Sequence, residues 1–528
     1  MRPNFLVVMT DQERYPPPYE SDAVARSRRS LDAHERLRDG GVELHRHYTA
    51  STACVPSRTS LFTGQYPSLH GAAQTDGLAK SASDRRVSWL DPSTVPTMGD
   101  WFRAAGYRTE YRGKWHLSHA DLFATGTHES LRTVDRDGVV DDDAVDAYRR
   151  TSRLEPWGFA GWIGREPHGA YPGDTGLVRD PLFAQQADAL FADLRAEERP
   201  WLSVISLVNP HDIAFSTLQQ GFGFPEPSDA LPDIEAAPSQ ADSLDERPRV
   251  QAQFRDVWPQ MLLPQPTDAT YRRFYYWLHA LADRAVTTVL DALVAHGHAE
   301  NTIVVFTSDH GEMLGAHGGL LQKWYQAYDE SIHVPMVVRG PGIATRPEGI
   351  DIATSHVDLL PTLLGLAGID ETIAATIVGS DHLETHPLVG RDLSPLLRGE
   401  ATPEAVDAPV YFMTDDDISR GDRQRNIVTR EPYEAVAGPA RVESVIARIA
   451  SGPAGEPELW KLNRYFTELE ADPDAEVVDE WELHNLTRDP EERANLALDP
   501  PRELDGMRAV LELTRGRKRL TPRLTVRG

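Results

Sequence analysis

The chain has 528 residues, 40% of them hydrophobic and 26% charged, with a formal net charge of −27 and a single cysteine. That is too long for one simple core, so the length predicts two domains or one large domain with an appendage, in a chain of ordinary folded composition. The negative field argues against nucleic acid or an anionic membrane as a general partner. One cysteine excludes an internal disulfide, and no run approaches the ~20 apolar residues of a membrane helix.

Phe5 to Thr10 is a short apolar run that ends in Asp11-Gln12-Glu13. It reads as a central strand with chemistry at its carboxyl end. The run is shorter than the roughly 7–15 apolar residues of a secretory signal, so a cytoplasmic location is expected. The segment "VPTMGDWFRAAGYRTEYRGKWH" predicts a helix from about Pro96 to Gly106. A strand follows at Arg108–Tyr111, then a polar tip. Leu202 to Val208 is another strand, ending in "NPHD". Asp268 or Thr267 caps a long amphipathic helix that fades by Gly297. The β-branched strand Thr302–Thr307 follows and ends in Ser308-Asp309-His310-Gly311. Four strands each run out into a polar tip, which predicts an α/β fold with one shared active edge.

Residues 118–180 and 213–265 are rich in Pro, Asp and Gly and weakly periodic. They read as surface insertions that wall a substrate pocket. After Glu400 the texture changes. "APVYFMT", "ESVIARIA" and "ELWKLNRYF" alternate like antiparallel strands, and a final helix is expected at Pro501–Thr514, with "RGRKRL" as its solvated end. The expected division is a catalytic domain over 1–404 and a smaller C-terminal α+β subdomain over 405–528.

The single cysteine stands in "TACVPSRTSLFTG". Pro56 suits the first turn of a helix, which places Cys54 at a helix N-terminus where backbone N–H groups favour negative charge. Arg58, four residues on, shares its face. A thiol there is either reactive or a buried small hydrophobe, and this stretch alone does not decide between them.

"CVPSR" followed by "LFTG" closely resembles the signature of the sulfatase family, within the alkaline phosphatase superfamily. Val55 departs from the small residue usual at its position. The likeness runs from Asn4 to about Ala497, through the closing "WELHNLTRDPEERANLA". It implies a large mixed, mostly parallel central sheet flanked by helices. It also implies that a formylglycine-generating enzyme converts Cys54 to formylglycine (3-oxoalanine), reading Pro56 and Arg58, and that the aldehyde hydrate supplies the nucleophile. Asp11, Gln12, Asp309 and His310, with Cys54, then correspond to ligands of a divalent metal. Ca²⁺ is the first expectation for hard oxygen donors, and the imidazole also admits Mn²⁺, Mg²⁺ or Zn²⁺. The Asp-Gln and Asp-His pairs resemble the choline-sulfatase, iduronate-sulfatase and phosphonate-hydrolase side of the superfamily.

In "GKWH", Lys114 and His116 point to one side of an extended segment. By resemblance the lysine binds a sulfate oxygen, and the histidine takes the proton that expels sulfate. Asp309 accepts the proton of the attacking hydroxyl. His211 and Lys323 touch sulfate and the leaving oxygen, with His211 as the proton donor. His70 lies behind the site, and His317 faces the substrate. Trp157, Trp162, Trp324 and Tyr325 are candidate walls for a quaternary ammonium substrate. The expected activity is hydrolysis of a small-molecule sulfate monoester. A phosphonate monoester or phosphodiester hydrolase is the first alternative, with "GKWH" against it. A catalytically silent binding protein is the second.

Overall fold

A computed structural model of the chain describes residues 2–167, 171–225, 227, 231–467 and 479–518, with the side chains of 219–222 outside that description. In chain order its main elements are β1 (Asn4–Asp11), α1 (Asp32–Arg38), β2 (Gly41–Tyr48), α2 (Cys54–Thr63) and α3 (Met98–Ala104). Next come β3 (Arg108–Gly113), α4 (Asp142–Thr151), α5 (Gly176–Leu194), β4 (Trp201–Pro210), α6 (Arg249–Met261) and α7 (Ala269–Ala295). β5 (Thr302–Ser308), β6 (His333–Val334), β7 (Met336–Arg339), β8 (Arg346–Ser355) and α8 (Leu359–Ala367) complete the larger part. β9 (Val410–Thr414), β10 (Arg441–Ala450), β11 (Pro457–Phe466), β12 (Glu480–Asn485) and α9 (Glu503–Arg517) follow.

The large sheet has the order β3-β4-β1-β5-β7-β2-β6, with β8 also paired to β2. The strands β3, β4, β1 and β5 pair in parallel, as do β2 and β8, while β7 and β6 run against them. The mostly parallel α/β sheet expected from the sequence is therefore present. All eight residues of β1 are buried, as befits a central parallel strand covered on both faces. α3 starts at Thr97, whose hydroxyl and Asp100 form a capping box. Asp268 caps α7, its carboxylate accepting from Tyr271 N at 2.9 Å. Among the described residues no single helix is long and apolar enough to cross a membrane.

The second sheet is antiparallel, in the order β12-β11-β10-β9, and α9 packs beside it. Its core is continuous with the larger part. Tyr411, Val445, Trp460, Leu483 and Met507 share a cluster with Ala50, Tyr66 and Val357 of the larger part. Basic residues of "RGRKRL" from 519 onward lie outside the described residues, and Arg515 pairs with Glu443.

The two intervals read as surface insertions contain more structure than their composition suggests. The first holds α4 and supplies Tyr148, Phe159 and Trp162 to the main core. The second holds α6, whose Val250, Phe254, Trp258 and Met261 are buried at helical spacing. Pro259 and the polar residues between them mask that period in the sequence.

α1 is fixed to the body by one buried histidine. Asp283 of α7 accepts from the backbone N–H groups of Ala33 and His34 at 3.3 and 3.2 Å. The His34 ring lies between two carboxylates, with Nδ1 2.7 Å from Asp283 and Nε2 2.9 Å from Glu13. Both nitrogens must donate, so the ring is an imidazolium. Burial opposes that charge, but Glu13 and Asp283 outweigh it and push the histidine from 6.5 up to about 9. A raised histidine contributes its stability in full below the ordinary value and loses it as pH rises through about 9. The melting-temperature gap between wild type and His34→Gln is therefore expected to narrow between about pH 6 and about pH 10, by an amount worth a few kcal/mol. A gap constant over that range contradicts the assignment.

Candidate active site

Parallel strands deliver their polar tips to the same edge. In the register of the sheet Gly113 lies opposite Ser206, Thr10 opposite Ser308 and Asp11 opposite Pro210, so Asp11, Lys114, His211 and Asp309 emerge together. Gly113 makes the turn into Lys114 possible. Its φ is +99°, and a Cβ there would stand 1.8 Å from the Ser206 carbonyl oxygen. The tip of β4 is held by a buried carboxylate: Asp180 accepts from Val208 N at 2.7 Å and Asn209 N at 3.0 Å.

Cys54 is the first residue of α2, as its neighbours in sequence predicted, and all ten residues of this helix are buried. Gly64 ends it in the left-handed region at φ +63°. Ser57 donates to the Asp309 carbonyl, which pins the helix start against the tip of β5.

Arg58 organises the centre. It is fully buried, its Nε donating to Asp309 Oδ2 at 2.8 Å and its Nη2 to Asp11 Oδ2 at 3.0 Å. Nη1 donates to the Lys114 carbonyl and to Ser206 Oγ, both at 2.9 Å. Lys114 Nζ also reaches Asp11 Oδ2 at 2.5 Å and Cys54 Sγ at 3.9 Å. Burial alone would raise the Asp11 carboxyl. Lys114, His211 and Arg58 more than offset that and hold it well below the ordinary carboxylate range. In return, Asp11 and Cys54 overcome the burial of Lys114 and push it up to about 12.

Each of the two aspartates thus spends Oδ2 on cations and turns Oδ1 elsewhere. Asp11 Oδ1 lies 3.8 Å and Asp309 Oδ1 3.6 Å from His310 Nε2, and Cys54 Sγ lies 3.2 Å from the same nitrogen. One ligand-capable atom from each of Asp11, Cys54, Asp309 and His310 falls within 4.8 Å of the others. His310 Nδ1 lies 3.1 Å from the Gly311 carbonyl oxygen, which only a donor satisfies. The tautomer so fixed leaves the Nε2 lone pair facing the cluster, as a metal-binding imidazole requires. Burial holds His310 below its ordinary value, hence neutral. Two carboxylate oxygens and a neutral imidazole fit a divalent cation. Gln12 is turned differently: its backbone N–H donates to Asp309 Oδ1 at 3.1 Å, while its amide oxygen accepts from Lys323 Nζ at 2.7 Å.

The remaining predicted residues surround this centre. His211 follows Pro210, which lies opposite Asp11 in the sheet, so it stands at the same edge. Burial first and Lys114 second hold it well below its ordinary value, hence neutral. His116 Nε2 lies 2.8 Å from Asp76 Oδ1. His70 contacts Ser60 Oγ on the far part of α2 at 3.1 Å. His317, expected to face the substrate, is buried against Glu330 at 3.3 Å and stacked on Tyr328, so the fold uses it as a brace. The four candidate aromatic walls are each tethered by their polar ends. Trp157 and Trp162 donate to the carbonyls of Leu90 and Gly113, Trp324 donates to Asp416, and Tyr325 to Asp417.

Several residues here were not singled out from the sequence. Glu166, inside the first insertion, accepts from the backbone N–H groups of Trp115 and His116 at 2.7 and 2.6 Å. Glu312 and Gln322 hold the Gln12 amide. Gln12, His116 and Gln322 adopt positive φ values of 73°, 59° and 66°, in the left-handed region that is uncommon outside glycine. No local pattern marks that strain.

Comparison with known proteins agrees with this geometry. The family model described as Sulfatase matches residues 3–369. An uncharacterized sulfatase of Escherichia coli (strain K12), YidJ, is 30% identical over 378 residues, covering 70% of this chain and 69% of that protein. A choline-sulfatase of Rhizobium meliloti (strain 1021) is 26% identical over 380 residues, covering 70% of this chain and 68% of the relative. The crystal structure of a phosphonate monoester hydrolase of Agrobacterium radiobacter superposes with a TM-score of 0.61 at 19% identity, covering 98% of this chain and 96% of that one. A family match over most of the chain, on a sheet edge that carries the family's cysteine helix and strand tips, establishes that this chain belongs to the sulfatase family.

Proposed function

We propose that this enzyme hydrolyses a small-molecule sulfate monoester through an aldehyde hydrate formed at position 54, beside a divalent cation held by Asp11, Asp309 and His310, with Gln12 turned instead to Lys323. The observation that carries the reading is the division of labour at Asp11 and Asp309. Arg58 takes one oxygen of each, and the other two turn toward His310 Nε2 and Cys54 Sγ. Two buried carboxylate oxygens thereby lie on one side of a neutral imidazole, Asp309 Oδ1 also accepting from the backbone N–H groups of Gln12 and His310 at 3.1 and 2.9 Å.

Bound there, a hard divalent cation supplies charge for the sulfate oxygens and for the nucleophilic hydroxyl; Ca²⁺ best suits the oxygen donors. The hydrate at position 54 supplies one hydroxyl to attack sulfur and a second whose deprotonation releases sulfate. The chain's own residues do the rest. Lys114 and Arg58 neutralise the sulfate oxygens, and both charges are secure at neutral pH. Asp309 takes the nucleophile's proton through Oδ1, the oxygen that Arg58 does not use. Lys323 meets the charge that develops on the leaving oxygen.

His211 gives the departing alcohol its proton; burial first and Lys114 second hold it below its ordinary value, and the bound sulfate anion favours its charged form. His116 receives the proton of the second hydroxyl, and Asp76 on its other nitrogen stabilises the imidazolium so formed. The formylglycine-generating enzyme is the maturation partner this requires.

Two outcomes are expected. Protein co-produced with the converting enzyme turns over aryl sulfates with higher kcat/KM than matched phenyl phosphonate monoesters. Cys54→Ala loses at least about a thousand-fold, and Cys54→Ser releases no more than about one equivalent of phenol per site, because a serine ester lacks the second hydroxyl. A phosphonate preference would replace the sulfate assignment, and full turnover by Cys54→Ser would remove the aldehyde route. Second, dialysis against a chelator abolishes turnover and lowers the melting temperature, and divalent cation restores both. Retention of both after metal removal contradicts the cation site.

A further inference from the structure

Lys323 is a buried ammonium with an unusual environment. It is 1% exposed, yet among the described residues no carboxylate forms an ion pair with it. Its contacts are the amide oxygen of Gln12 at 2.7 Å, that of Gln322 at 3.5 Å, and the face of Trp324, whose ring centre is 4.7 Å from Nζ. An amide and a ring quadrupole attract an ammonium without cancelling its charge, whereas a carboxylate would cancel it. The full charge is thus kept for an anion.

The indole that supplies this face is itself fixed from two sides. It stacks on Trp258 of α6, with ring centres 5.9 Å apart and planes 29° from parallel. Its Nε1 donates to Asp416 Oδ2 at 3.0 Å. Asp416 lies just past the end of β9, so it belongs to the small sheet's side of the molecule. It is 1% exposed, and its Oδ1 accepts from Lys80 Nζ at 3.2 Å and from Thr75 N at 3.1 Å. The next aspartate, Asp417, accepts from Tyr325 OH at 2.6 Å. Gln322 and Tyr325, on either side of Lys323-Trp324, have φ of 66° and 60°. Such a backbone persists only where surrounding contacts over-determine it.

We propose that Trp324 and Asp416 are positioning residues for Lys323. On this view Asp416 fixes the indole, and the indole face holds the ammonium where a leaving oxygen gains charge. The small sheet thereby takes part in bond cleavage without touching substrate. The proposal rests on the sulfatase reading above, which gives Lys323 its role.

A general weakening of the fold and a misplaced Lys323 differ in one observable. Loss of a cation at the leaving oxygen matters most for leaving groups that cannot carry charge themselves. The experiment measures kcat/KM for a series of aryl sulfates of graded phenol acidity, using wild type, Trp324→Leu, Trp324→Phe and Asp416→Asn, with circular dichroism melts as the control for folding. Trp324→Leu removes the ring face. It is expected to lose about tenfold or more with the least acidic phenol and under about twofold with nitrophenyl sulfate. Trp324→Phe keeps a ring face but lacks the donor to Asp416, and it falls between wild type and Trp324→Leu. Asp416→Asn follows Trp324→Phe. Should Asp416→Asn fail to fold because Lys80 loses its partner, the two Trp324 variants carry the test. A loss equal across the series, or no loss, overturns the proposal.

Wild-type turnover is measured first, so failure of the sulfatase reading shows as inactive wild type rather than as a flat series. In that case the same series of phenyl phosphonate monoesters is used. Calorimetric titration with inorganic sulfate then reads Lys323 without turnover. Weaker binding by Trp324→Leu supports its placement in the site, and equal binding overturns it.

Discussion

The fully buried Arg58, clamped between Asp11 and Asp309, is the interaction on which the rest of this structure depends. It joins three elements that are remote in sequence: the tip of β1, the start of the cysteine helix α2 and the tip of β5. Removing one partner from such a buried cluster typically costs about 3–5 kcal/mol, because uncompensated charge remains in a dry interior. Burial of this kind is poor value as a stability device alone. It makes sense when the geometry it imposes is needed, here two carboxylate oxygens, one imidazole nitrogen and one cysteine sulfur facing a common point.

The parallel sheet supplies the precision. β3, β4, β1 and β5 run in one direction, so every strand ends on the same edge, and each ending is locked separately. Gly113 lets β3 turn, Asp180 satisfies the N–H groups at the end of β4, and Glu166 does the same after β3. The small antiparallel sheet adds to this support. It shares its core with the larger part, and Met413 N donates to the Ala50 carbonyl just ahead of the cysteine helix.

Much of this was legible in the sequence. A β-branched run followed by a polar cluster reports a buried strand and its tip, and the resemblance to the sulfatase signature singled out Asp11, Lys114, His211 and Asp309 among the residues at those tips. The cysteine helix was legible because Pro56 and Gly64 carry local conformational meaning. Long-range partners were not. Asp76, Glu166 and Asp416 look like ordinary loop acids. Their roles arise from contacts across 40, 50 and 92 residues that no periodicity encodes. The tethers of the aromatic candidates were hidden for a related reason. Trp and Tyr near a site read as walls, but each has a polar end that a buried carbonyl or carboxylate can claim. His317 was claimed in the same way, by Glu330. The helices of the two insertions were hidden because Pro, Asp and Gly dominate their flanks while only every third or fourth residue carries the apolar signal.

The central claim is that this arrangement exists to hold an aldehyde hydrate where the gene encodes a thiol. The most direct measurement is the mass of the peptide containing Cys54, from protein produced with and without a formylglycine-generating enzyme. The account predicts the mass of an aldehyde in place of the thiol when the converting enzyme is present, together with the appearance of sulfate ester turnover. An unmodified cysteine under those conditions would contradict it and would return Cys54 to thiol chemistry or to silence.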